Sequence, residues 1–374
     1  CMRRGGWGIG AYSAAEGWIE GPNERVAAPE TQAGPGVDAV GQQNNDPPQG
    51  SQPNVDPEAP VIPLPQAPDL SNMDLAPDPW TAGYAALDNG DIPRARGAFY
   101  AGLLEEPDRI DEFYELADGV YDDLGALPAA EILEIGIQAV PSELARADVF
   151  VQIGDMLLEG GRNTPAVQKF QYALYLEPDN LAAYHGLVDG IDLVPEPNVR
   201  NIINQLEGIR NDMGTSPGLF NALGVAYRAV GQYDRAIDLL NQAVELDPDD
   251  PLVHIDLAYA YLGDGQRAAA RQSAERALDL APDDADVLVL VGYVLQELDA
   301  YEDALALFEQ AVALAPNDYW AHFELAYTLA VLGEPRAVFQ PEIDQALALG
   351  DDDTELWLNV GWLYLDTGNC PEAM

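Results

Sequence analysis

Cationic side chains are what this sequence most lacks: 17 Lys plus Arg stand against 64 Asp plus Glu in 374 residues, a formal net charge of −47. Binding a nucleic acid needs Lys and Arg to displace counterions from phosphates, so nucleic acid is excluded as a direct partner. Anionic lipid headgroups attract the same side chains and are excluded as a docking surface on the same ground. Cysteine is as scarce. Cys1 and Cys370 are the only two, too few for a disulfide framework or a cysteine-rich zinc site. No apolar run approaches the roughly 20 residues that a membrane-spanning helix requires. The hydrophobic share of 48% is ordinary, so much of the chain can bury a core. Length alone suggests roughly two or three compact domains.

The few cations are nearly all of one kind. Lys169 is the only lysine, every other cation is Arg, and Asp accumulates in runs such as Asp249-Asp250 and Asp351-Asp352-Asp353. A high net charge keeps a protein soluble but strains its compact state through self-repulsion. Salt screens that repulsion, with a Debye length of about 3 Å at 1 M. Two readings of the acidity stand side by side: adaptation to a saline setting, and the compositional bias of a GC-rich genome combined with a solvated acidic face.

Residues 1–75 differ from the rest. Gly5 to Gly21 is Gly-rich with Trp7, Tyr12 and Trp18, and Pro22 to Pro79 is dominated by Pro, Gln, Asn, Asp, Gly and Ala. Pro fixes φ and removes a donor, so segments such as Asp46-Pro47-Pro48-Gln49-Gly50 and Pro60-Val61-Ile62-Pro63-Leu64-Pro65 sustain neither a helix nor a central strand. With few large apolar groups to offset ordering entropy, residues 1–75 are expected to form a disordered Pro/Gly-rich tether or linker with polyproline II character. Cys1 stands where translation would place Met. It is read either as the lipidated mature terminus of a bacterial lipoprotein, whose layout of Cys followed by a polar tether it resembles, or as the edge of a fragment. Met2-Arg3-Arg4 is not a favoured lipoprotein continuation.

From about Ala76 the sequence repeats. Prolines recur at Pro107, Pro141, Pro178, Pro248, Pro282 and Pro316, with the first two and the last three spaced by 34 residues. In that register Pro217 to Asp250 places Phe220, Leu223-Gly224, Tyr227, Gly231, Ala236, Leu240, Ala243 and Pro248. Phe150, Ile153-Gly154, Leu157, Gly161, Ala166, Phe170, Ala173 and Pro178 fall in the same frame, as do Leu288, Val291-Gly292, Leu295, Ala304, Phe308, Ala311 and Pro316. Apolar residues every three or four positions mark two amphipathic helices per unit. Small residues such as Gly224 and Ala236 let them approach, and Gly231 or Gly265 lets the chain leave the first helix. The Pro ends the second helix, and the Asp pairs after it suit the N-terminus of the next. One such pair cannot bury its own apolar faces, so neighbours must stack.

These residues resemble the tetratricopeptide repeat, with its Trp, Leu-Gly, Tyr, Ala, Phe, Ala and Pro signature positions. The resemblance covers about 300 residues and implies an all-α fold: an α-solenoid, a right-handed superhelix of antiparallel helix pairs. Eight full units and the start of a ninth are expected, over 76–216 and 217–374. Unit four (181–216) departs most, with Pro195 and Pro197 where its turn should be and a loosely patterned stretch from Asn198 to Met213, and is expected to act as a hinge or kink. Unit eight deviates after Pro335, with Pro341 near the start of its second helix. The last unit stops at Cys370-Pro371-Glu372-Ala373-Met374, which reads as truncation, with Cys370 as a small turn residue.

Little in the chain suggests catalysis or metal binding. His254 and His322 share one slot two repeats apart, a slot that Phe220 and Trp357 fill elsewhere, so both are expected to pack in the core. His185 has no ligand spacing beside it. No phosphate loop, nucleophile elbow or metal-ligand spacing is visible, and pairs such as Asp283-Asp284 lack the alternation of a calcium loop. No enzyme activity, metal or cofactor is expected.

One constellation rises above this background. Tyr259, Tyr293, Tyr327 and Trp362 occupy one position in four consecutive units, with Ile255, Val289, Phe323 and Leu358 four residues earlier on the same helix face and Trp320 one turn earlier again. In the family this face lines the concave groove where partner peptides lie. The resemblance therefore implies an aromatic and aliphatic ladder that binds protein partners, with packing against the neighbouring repeat as the competing reading. The family's carboxylate clamp uses Lys, Arg and Asn where this chain has Ile255, Tyr259, Val289 and Tyr293, so the expected ligand is an extended or helical segment with apolar anchors and basic flanks. The implied function is a non-enzymatic scaffold in envelope assembly or secretion; an accessory arm of a larger transferase or protease is the alternative. A bacterial envelope, with membrane contact only through a lipid on Cys1, is the expected setting and the cytoplasm the other. Salt adaptation predicts a higher thermal midpoint in molar NaCl than in dilute buffer, and equal midpoints would leave compositional bias as the account of the charge.

Overall fold

The computed structural model describes residues 68–71, 73, 75, 78–140, 146–350 and 353–367, all within one compact unit. Cys1, Cys370 and almost all of the expected tether lie outside the described residues. Among the described residues there are seventeen α-helices and no strand. They come in pairs: α1 (Pro79–Leu87) with α2 (Ile92–Glu105), α3 (Ile110–Leu124) with α4 (Ala126–Ala139), and α5 (Ala147–Glu159) with α6 (Asn163–Leu176). The next pairs are α7 (Leu181–Ile191) with α8 (Glu196–Met213), α9 (Pro217–Ala229) with α10 (Tyr233–Leu246), and α11 (Pro251–Gly263) with α12 (Arg267–Leu280). Then follow α13 (Ala285–Glu297) with α14 (Tyr301–Leu314), α15 (Tyr319–Val331) with α16 (Arg336–Leu349), and α17 (Thr354–Asp366), the first helix of the ninth unit. The all-α solenoid of helix pairs is thus borne out.

The acidic turns start the helices. Asp250, Asp284, Asp318 and Asp353 each accept hydrogen bonds from backbone amides two or three residues ahead, at 2.8–3.3 Å. Each such cap is worth about 1 kcal/mol. Asp78, Asn180 and Ser216 do the same for α1, α7 and α9. From α4 onward each second helix packs on the first helix of the next unit, and outside unit four each also packs closely on the first helix of its own. First helices touch one another along the series from α5 to α13 and between α15 and α17. The Gly of the Leu-Gly signature permits close approach within a pair: a Cβ on Gly292 would lie 2.6 Å from Cε1 of Phe308, which is fully buried.

Two irregular units take definite form. Unit four contains no loosely patterned stretch: Pro195 takes the N-cap and Pro197 the first turn of α8, where a missing N–H costs nothing. Val199, Ile202, Ile203 and Leu206 then bury one face of α8, and the apolar core runs unbroken from Trp80 to Ala260, so the core has no interruption at the expected hinge. In unit eight Pro335 caps α16, and Pro341 lies inside the helix without ending it. Lys169, the single lysine, is a core residue at 4% exposure, its ammonium 2.6 Å from Glu134. A buried charge is retained only with such a partner.

The turn between paired helices requires a left-handed residue. Gly161, Gly231, Gly265 and Gly333 supply it with φ of +69° to +86°, whereas unit seven places Asp299 there at φ +56°. An L-residue in this region is strained by about 1–2 kcal/mol, less for Asp, while its ion pair with Arg267 is highly exposed and of little worth. Asp299→Gly is therefore expected to stabilise the fold by about 0.5 kcal/mol after the added unfolded-state entropy is counted. Asp299→Ala is expected to destabilise it, and urea midpoints at constant slope read both.

Candidate functional site

Units place the same helix positions in similar surroundings, so the site builds from columns of equivalent residues. The fourth residue of the first helix faces inward from α3 to α15, whereas in α17 the same slot holds Trp357, which is 50% exposed. Tyr184 donates its hydroxyl proton to the Pro178 carbonyl at 2.6 Å, and the Nε2 atoms of His254 and His322 lie 3.2 and 3.1 Å from the carbonyls of Pro248 and Pro316. All three side chains are buried and tie a first helix to the turn that precedes it. His322 also turns Nδ1 to the Glu342 carboxylate at 2.7 Å. The core reading of His254 and His322 holds. His185 is exposed. Among the described residues no group of three or more His, Cys, Asp or Glu is placed to hold a metal ion.

The ninth residue forms the wall's accessible column. Tyr259, Tyr293 and Tyr327 are half-buried and Trp362 is exposed, as is Leu358. The three tyrosine rings are held. The Tyr259 hydroxyl donates to the Leu290 carbonyl at 3.3 Å, and the Arg228 guanidinium lies 5.8 Å from its ring centre. Tyr293 meets Phe308 edge-on at 6.1 Å, while Tyr327 stacks on Phe323 at 6.3 Å. Trp320, also half-buried, packs edge-on against Phe323 at 5.8 Å.

The aliphatic rung expected beside them is different. Ile255, Val289 and Phe323 are 2%, 8% and 5% exposed, so they are the floor beneath the tyrosines and not part of the accessible surface. The reason is directional: side chains on a helix lean toward its N-terminus, and here the fifth residue wedges into the core between units while the ninth stays at the rim. Only in α17 does this position, Leu358, stand open among these four. The packing reading of the ladder thus holds for these three residues, while the tyrosines of the ninth position stay partly accessible.

Two acids were missed by sequence reasoning. Asp256 and Glu324 are both the sixth residue of a first helix, and each reaches the preceding unit. Asp256 lies by Asn221 and Arg228; burial pushes its carboxyl up to about 7 against the pull of Arg228 and of the Asn221 hydrogen bond, with Asp192 and Asp189 adding to the rise. Glu324, 7% exposed, accepts from Gln296 Nε2 at 3.0 Å and from the Tyr293 hydroxyl. Burial pushes it up to about 7 from 4.5 despite those two bonds. Gln296 also reaches Thr328 at 3.0 Å, whose hydroxyl donates to the Glu324 carbonyl. Glu324 thus fastens Tyr293 to the core. The only available signal was an acid at a helix position that Ala222 and Leu290 fill in neighbouring units.

A carboxyl whose value is higher folded than unfolded stabilises the fold fully below the unfolded value, and that contribution fades as pH rises through the folded one. For Glu324 the window is pH 4.5 to about 7, and the shift corresponds to roughly 3 kcal/mol. Glu324→Gln is expected to be more stable than the parent at pH 8 and nearly equal to it at pH 5 in urea unfolding. A pH-independent difference would remove the titration from the account.

Tetratricopeptide-repeat family models match residues 227–291 and 285–318. No curated protein matches the chain. Similar solved structures include a thermophilic tetratricopeptide-repeat protein from Thermus thermophilus, 21% identical over 49% of this chain and 99% of its own, with a TM-score of 0.42. A tetratricopeptide-repeat protein from Parabacteroides merdae is 13% identical over 61% of this chain and 89% of its own, with a TM-score of 0.41. Pseudomonas aeruginosa pilF is 17% identical over 56% of this chain and 94% of its own, with a TM-score of 0.39. The family models fall on units five to seven, where the column of tyrosines begins, and identify that stretch as tetratricopeptide repeats.

Proposed function

We propose that the chain is a non-catalytic scaffold that binds an extended or helical segment of a partner protein along the wall of first helices in units six to nine. A tetratricopeptide-repeat fold supports protein interaction in general; the residue-level reading rests on one observation. Tyr259, Tyr293, Tyr327 and Trp362 fall in one column, and each tyrosine presents a ring that is anchored on one side and accessible on the other. Held rings lose little entropy on binding, which suits them as anchors. Trp320, Leu358 and Leu365 add accessible apolar surface on the same helices. Envelope assembly or secretion is the setting that the family resemblance implies.

The test is selection of peptides from a displayed library on the parent protein, followed by titration against Tyr293→Ala and Tyr327→Ala. Each variant is expected to weaken the selected peptides by roughly thirtyfold, about 2 kcal/mol per aromatic anchor, with far-ultraviolet circular dichroism unchanged. Retained affinity in the double variant would discard the groove.

A further inference from the structure

The column that carries the aromatic rings does not carry them throughout. Its members in α3, α5 and α7 are Asp118, Asp155 and Asp189, all exposed, followed by buried Val225 in α9 and then by Tyr259, Tyr293, Tyr327 and Trp362. Tyr84 holds the equivalent place in α1. Helices α3, α5 and α7 contain no Lys or Arg at all, and Arg228 is the only Lys or Arg on any first helix among the described residues. Between α3 and α5 a cleft of about 340 Å³ is lined by Asp118, Asp122, Asp155, Glu159, Tyr121 and Met156, among others. Burial, and then the charge of Asp189, holds the Asp155 carboxyl above the usual range.

At the junction of the two halves the chain displays how a guanidinium is received. Arg228 donates to the carboxylate of Asp192, at the end of α7 and outside the column, and lies 5.8 Å from the ring centre of Tyr259, the first aromatic of the second half. Asn221 beside it is 6% exposed, hydrogen-bonds Asp256, and leaves its Oδ1 acceptor without a partner. The carboxylates are strung along successive units and do not converge on a point. Spread charge of this kind matches a row of cationic side chains, which carboxylates bind as charge-assisted pairs, and does not match a metal ion.

We propose that the first-helix wall is polar along its length and accepts a partner segment in one orientation, with its arginine-bearing part against α3, α5 and α7 and its aromatic or aliphatic part against α11, α13, α15 and α17. This rests on the groove proposed above and adds the partner's charge pattern and direction. Electrostatic complementarity fixes register and raises the association rate, and it is weakened by salt.

The probe is a synthetic peptide with arginines in one half and leucine and phenylalanine in the other, carrying a photo-reactive phenylalanine at either end, titrated against the full chain. The expected result is that crosslinks from the arginine end map to units two to four and those from the apolar end to units six to nine. Asp118→Asn, Asp155→Asn and Asp189→Asn together should weaken binding about tenfold and flatten its salt dependence, with helicity retained. An apolar-only peptide should be insensitive to that triple variant. Reversed or unordered crosslinks, or an unchanged salt slope, would overturn the polarity. If Tyr293→Ala and Tyr327→Ala still abolish binding in that event, the groove itself stands. If they do not, the groove fails first.

Discussion

A pair of antiparallel helices leaves two apolar faces and can cover only one of them by itself. Everything else in this molecule follows from the need to cover the other. From α4 onward second helices lie on the first helix of the following unit, and the core is continuous from Trp80 to Ala260 and is carried on by clusters around Phe308 and Phe339. Stacking of this kind converts a period in sequence into a column in space. Residues 34 positions apart in the chain become neighbours with similar surroundings.

Columns then separate tasks. The fourth residue of the first helix ties it to the turn behind, whether the hydrogen bond comes from Tyr184, His254 or His322. The fifth is a floor in units six to eight, the sixth is an acid sunk against the preceding unit in α11 and α15, and the ninth is rim in units two to four and six to nine. Outside α9, where Val225 is buried, the ninth residue is at least partly exposed, and its identity varies in blocks: Asp in units two to four, aromatic in units six to nine.

The scarcity of cations gives several of them a visible job. Lys169 neutralises Glu134 in the core, Arg109 bridges Glu106 and Glu112 while covering the Trp80 ring, and Arg228 joins Asp192 to Tyr259. Part of the negative charge also has a local use, as helix caps at Asp250, Asp284, Asp318 and Asp353. Asp118, Asp155 and Asp189 on the wall cap no helix. They are what a partner's cations would answer.

The sequence by itself determined the unit, its period, the two helices, the turn glycines and the inward histidines, because each follows from local spacing and capping chemistry that repeats. It also determined which column the tyrosines share. Unit four is the exception it marked: its two prolines take a cap and a first turn of α8 and break no helix, yet its two helices do not pack closely on each other as the others do. Only the tertiary structure decided that Ile255, Val289 and Phe323 are covered while Tyr259, Tyr293 and Tyr327 are not, because cover comes from the neighbouring unit and periodicity within a helix is silent about it. The same holds for Glu324 and Asp256. An acid on a helix reads as solvated until the packing of two units removes the water around it, and that is a property of the stack.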